Sequence, residues 1–137
     1  LTNGFFYAPP SLATDFYTLT PCRVFDTRNA NGPLGGPALS ANQIRTFTVT
    51  GVCGAPAGAK SIAVNVTTVA PGANGLLQLF PGNAFPMGTS TINFVAGATR
   101  ANNAMLTLAT NGAGTVGVQN AATSSTHVVL DVVGYYQ

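Results

Sequence analysis

The residues of this sequence that could do chemistry are few. The acids are Asp15, Asp26 and Asp131, with no glutamate, and the bases are Arg23, Arg28, Arg45, Lys60 and Arg100. His127 is the one histidine, and Cys22 and Cys53 are the thiols. His127 and Asp131 stand four apart in an extended run, which puts their side chains on one face about 13 Å apart. That is beyond a hydrogen bond, so a Ser–His–Asp relay would need Asp15 or Asp26 from elsewhere in the chain. No G-x-S-x-G turn is present to carry a nucleophile. Paired carboxylates for glycoside hydrolysis would have to come from the same three aspartates. No catalytic residue is assigned, and the chain is not expected to be an enzyme. Three dispersed aspartates make a poor calcium site, and two cysteines with one histidine fall short of a zinc site. Neither a metal nor a cofactor is expected.

Asp26 lies between Arg23 and Arg28 in Cys22-Arg23-Val24-Phe25-Asp26-Thr27-Arg28. In an extended segment Asp26 and Arg28 share a face. Arg28 could bind a ligand; the reading preferred here is a structural ion pair, Asp26 with Arg28, that pins the first strand to the following turn. Asp131 has apolar neighbours and also needs a partner. Arg28, Arg100 or backbone amides could supply it. Cys22 and Cys53 are read as one disulfide, the other possibility being two buried thiols. Asn65-Val66-Thr67 matches a glycosylation sequon inside an expected core strand and is taken as coincidence.

The charged fraction is only 6% and the net charge +2. An average soluble domain is about 25% charged. A nucleic-acid partner needs a basic stripe, which five scattered cations do not form. No apolar run approaches the ~20 residues that span a membrane, so no membrane insertion is expected. Thr, Ser, Asn, Gln and Gly replace the charges. Such a surface responds weakly to salt and lacks the self-repulsion that keeps proteins apart. No signal peptide is seen ahead of Leu1-Thr2-Asn3-Gly4, which is read as a mature terminus or a boundary of the piece.

Strand signals must position these residues. Ser61–Val69 alternates cleanly, with Ile62, Val64 and Val66 on one face. In residues 43–50, Ile44 is out of phase with Phe47 and Val49. Shorter strands are read at 75–80, 91–95, 103–109 and 115–119. Asn111-Gly112 is a two-residue hairpin signal between the last two. Residues 126–136 are apolar on both faces, as in a central strand. Turns recur about every 10 residues with no helical period between them. The expected fold is all-β, an antiparallel β-sandwich of jelly-roll type, in one domain at 21–137.

Residues 1–20 form an extended arm ahead of it. Five of the twelve Phe and Tyr residues fall here: Phe5, Phe6, Tyr7, Phe16 and Tyr17. Pro9-Pro10 cannot donate to a ladder and separates the two aromatic runs. An arm this aromatic must be buried, either on its own sandwich or on a neighbouring subunit. These five residues are the expected subunit contacts.

The stretch Pro21-Cys22-Arg23-Val24-Phe25-Asp26-Thr27-Arg28 resembles the opening motif of an all-β domain found in many secreted and cell-surface bacterial proteins. The likeness continues through Pro33-Leu34-Gly35-Gly36, residues 57–67, Ser90-Thr91-Ile92-Asn93-Phe94 and the closing residues 126–136. It implies a secreted or cell-surface location and an all-β module, and brings no catalytic residues. Such modules are usually appended to enzymes or surface proteins, whereas here the module is read as standing alone behind an aromatic arm.

The reading is therefore an extracellular structural protein, a self-assembling subunit of a filament or surface layer. The N-terminal strand would be donated to the next subunit, giving a homo-polymer. The alternative is a module binding cell-wall or other polysaccharide. The tyrosines for such a platform would be Tyr7, Tyr17, Tyr135 and Tyr136, with no tryptophan to help.

Overall fold

The computed structural model describes residues 13–137. Phe5, Phe6 and Tyr7, with the rest of residues 1–12, lie outside the described residues. The described chain is all-β. Its strands are β1 (Phe16–Asp26), β2 (Ile44–Thr48), β3 (Ser61–Val69), β4 (Gly75–Pro81), β5 (Ile92–Phe94), β6 (Arg100–Thr107), β7 (Thr115–Ala122) and β8 (His127–Tyr136). No helix among the described residues is long and apolar enough to cross a membrane.

Two antiparallel four-stranded sheets face each other, in the orders β1-β8-β3-β6 and β2-β7-β4-β5. The pairs β1–β8, β2–β7, β3–β6 and β4–β5 make one long ribbon folded over itself. That is the connectivity of a jelly roll.

Side-chain alternation decides which face is inside. Ile62, Val64, Val66 and Thr68 of β3 are buried, while Ala63, Asn65 and Thr67 point out. Phe47 is buried and Ile44 half-exposed, as their opposite phase requires. β8 lies between β1 and β3 and buries side chains on both faces, which accounts for its unbroken apolar run. Between the sheets, Phe25 of β1 stacks on Phe47 of β2 with ring centroids 3.8 Å apart and planes 5° from parallel.

One turn connects differently from its sequence signature. Gly112 adopts a φ of 82°, as a tight turn at Asn111-Gly112 demands. Yet β6 and β7 belong to different sheets, so the turn carries the chain over the edge of the sandwich and makes no hairpin. Turn chemistry reverses the chain but does not choose the partner strand. Here β7 gains more by pairing on both sides, with β2 and β4.

β1 begins at Phe16, five residues ahead of Pro21, and pairs Phe16 with Tyr136 and Tyr17 with Tyr135. Main-chain bonds between Asp15 and Gln137, 3.0 Å in each direction, extend this pairing to the corner of the sheet. Buried polar groups are tied between strands. The Thr68 and Thr126 hydroxyls lie 2.6 Å apart, and Asn120 Nδ2 donates toward the carbonyls of Leu39, Ser40 and Ser124.

Candidate functional site

The charges gather at the end of β1. Arg28 donates from Nε to Asp26 Oδ1 (2.8 Å) and from Nη2 to Asp26 Oδ2 (2.6 Å), and its backbone N–H also reaches Oδ1 (3.0 Å). The Arg28 hydrogen bonds hold the Asp26 carboxyl down at about 2, against the opposing effect of burial. Arg23 lies on the other side, with Nη1 3.4 Å from Asp26 Oδ2. Its Nε and Nη2 grip Asp131 of β8 at 2.9 and 3.2 Å. Asp131 thus finds its partner in Arg23, a residue the sequence reading did not propose for it. The register explains why: a β-bulge between Arg23 and Phe25 sets Arg23 directly opposite Asp131. Bulges leave no sequence signature that would reveal this pairing.

Arg45 also serves the fold. Its guanidinium sits over the Phe47 ring at 4.6 Å and donates to the carbonyls of Pro37, Gly32 and Gly35. This fastens the loop after β1 to β2. Burial of the guanidinium lowers its pKa from the ordinary arginine value.

His127 Nδ1 lies 3.1 Å from Thr27 Oγ1, and that oxygen accepts the Val128 N–H at 2.9 Å. The hydroxyl can donate to Nδ1 or accept from it, according to the imidazole tautomer. Among the described residues, none of the hydrogen bonds to His127 comes from a carboxylate. His127 and Asp131 are therefore held by separate partners, Thr27 and Arg23. No group of three or more His, Cys, Asp or Glu residues is close enough to hold a metal among the described residues.

Cys22 and Cys53 are joined in a disulfide that ties β1 to the loop between β2 and β3. Phe16 and Tyr17 contact their own chain: Phe16 meets the Tyr136 ring at 4.9 Å, and Tyr17 stacks on Tyr135 at 5.2 Å. Each remains about half-exposed.

The outer face of the β1-β8-β3-β6 sheet carries a feature that the sequence reading missed. Arg23, Asp131, Asn65 and Asn103 form one polar row across all four strands. Val133 stands beside it, with a cleft on either hand. One, of about 460 Å³, is lined by Pro21, Cys22, Arg23, Asn65 and Asp131. The other, of about 520 Å³, is lined by Ala63, Asn103, Ala104 and Met105. Met105 is 59% exposed. At the tip of the β4–β5 loop, Phe85 and Met87 project into solvent at 83% and 86% exposure.

No family model matches the chain, and no curated protein matches it. Two solved structures of Tobacco streak virus coat protein are similar in layout. One matches with a TM-score of 0.42 and 12% identity over 92% of this chain and 90% of that chain. The other, a structure of the coat protein dimer, gives 0.41 and 11% over the same shares. The jelly roll described above stands on its own strand order, independently of this likeness.

Proposed function

We propose that this chain is an extracellular structural subunit that polymerises by donating its N-terminal strand to a neighbour. The observation that carries this reading is that the jelly roll pairs all eight strands between Phe16 and Tyr136. The aromatic segment Gly4-Phe5-Phe6-Tyr7-Ala8 precedes these strands in the sequence. An aromatic, strand-forming segment is suited to add to an open sheet edge of a neighbour. The low charge of the surface removes the repulsion that would oppose association. The disulfide and the resemblance to secreted bacterial domains support an oxidising, extracellular location. Arg23, Asp26, Arg28, Arg45 and Asp131 are engaged in holding loops and strands, which favours a structural role over a catalytic one.

Polysaccharide binding has less beneath it. Tyr17 and Tyr135 stack on each other and Tyr136 meets Phe16, so these rings are already partnered.

Electron microscopy of the purified full chain tests the proposal. Ordered polymers are expected. Removal of residues 1–10 should abolish them and leave the strand signature in circular dichroism unchanged. A full chain that stays monomeric at high concentration would overturn the reading.

A further inference from the structure

We propose that the acceptor of the donated segment is the free edge of β6 in the next subunit; this rests on the strand-donation reading above. The two sheets have four edges: β1, β6, β2 and β5. β5 has three residues and β2 five, too short for a firm ladder. β1 carries Pro21 and two register shifts, devices that blunt an edge. β6 has eight residues, no proline, and an unbroken register with β3 from Arg100 to Thr107. Its sole charge is Arg100 at the first position. It is the one long, regular edge among the described residues.

The phase of that edge follows from one bond. Leu108 N–H donates to Lys60 O at 2.9 Å. Alternation then turns the main-chain groups of Arg100, Asn102, Ala104 and Leu106 toward β3. Ala101, Asn103, Met105 and Thr107 turn theirs outward, where no strand among the described residues pairs with them. Leu1–Ala8 is long enough to cover this edge before Pro9-Pro10 interrupts the ladder.

Side chains set the facing. The outer side of β6 borders the cleft of Ala63, Met105 and Val133, which is apolar. The inner side borders a polar cleft of about 370 Å³ lined by Thr91, Asn93 and Asn102. In an extended arm Phe5 and Tyr7 share a face. Two rings belong over Met105 and Val133, where the thioether gains contact with aromatic edges.

The sheet order makes the contact head-to-tail. β1, which follows the arm, lies at the opposite edge from β6, three strand spacings or about 14 Å away. One subunit's donor edge and the next one's acceptor edge are different surfaces. Repetition of such a contact does not close on itself.

The test uses full chain with Phe5 replaced by benzoylphenylalanine, mixed in equal parts from unlabelled and ¹⁵N-labelled preparations. Polymers are irradiated and the cross-linked peptides identified by mass. Cross-links from residue 5 to residues 101–107 or Val133, joining light to heavy chains, are expected. Cross-links to β2 or β5, or only within chains of one label, would overturn the β6 assignment while polymers still stand. Absence of polymers would overturn strand donation itself. As a second measurement, Met105→Lys and Asn103→Pro should each raise the concentration needed for assembly by about tenfold or more. Their monomer melting should stay close to that of the parent. Unchanged assembly of both variants, with folding intact, would also overturn the assignment.

Discussion

Arg28 holds Asp26 at two points, 2.8 and 2.6 Å, although a single residue separates them in the chain. The bend after β1 makes this possible, because Asn29 N–H returns to Asp26 O at 3.1 Å and folds the chain back. The pair is therefore a lock on the turn as well as a neutralisation of a buried acid.

The lock should be visible in acid. Asp26 titrates at about 2 in the folded chain against 3.8 for a free carboxyl. A depressed carboxyl contributes stability above its unfolded pKa and loses it as pH falls through the folded value. Its share, about 2 kcal/mol, should be complete above pH 5 and lost between pH 4 and pH 2. Urea midpoints measured across that range should fall. In Asp26→Asn the midpoint should start lower and change less over the same interval.

The disulfide closes a separation of 31 residues. On the chain-entropy account, its removal in a Cys22→Ala, Cys53→Ala double variant costs about 3–4 kcal/mol. Equilibrium urea unfolding of the monomer should show that loss, with strand content retained below the transition.

Gly35 lies where a Cβ would run into the backbone carbonyl oxygen of Ala30. The loop cannot yield there without releasing the Gly35 carbonyl from Arg45. Gly35→Ala should destabilise by about 2–4 kcal/mol, read from thermal or urea unfolding, whereas Gly32→Ala, with open space around it, should cost little.

Asn120 is fully buried, and its Nδ2 faces three carbonyls. Asn120→Asp replaces the donor with a charge pointed at acceptors. A loss above about 3 kcal/mol is expected at pH 7, smaller at pH 4 where the acid can be protonated.

Assembly through main-chain ladders and aromatic rings involves few charges. Light scattering of the full chain between 0.05 and 0.5 M salt, about a threefold change in Debye length, should give nearly the same assembly threshold. A steep dependence on salt would point to ion pairs as the cohesive contact.

Much of the fold was legible in residue order because burial has a period of two in strands. β3 runs over the residues its alternation marks, and the apolar run of β8 announced its central place. The pairing of β7 was not legible, since Asn111-Gly112 signals reversal and is silent on which sheet follows. Arg23 was likewise hidden as the partner of Asp131, because the bulge that aligns them exists only once the strands meet. The strand read at 103–109 overlaps β6, but its start at Arg100 was hidden because Arg100-Ala101-Asn102 is exposed and has no apolar alternation.

Chain direction and covalent linkage together give the molecule a mechanical character. Residues ahead of Asp15 lead into an edge strand, and seven residues along it Cys22 is tied to Cys53. Tension on the arm would peel β1 from β8 starting at Phe16, breaking the ladder one rung at a time. At Cys22 the load passes into a covalent bond and from there into the far loop. The residues between Cys22 and Cys53, Phe25 and Phe47 among them, lie in a closed loop that the pull cannot extend while the bond holds. A polymer built from such units would stretch slightly at each joint before any domain unfolds.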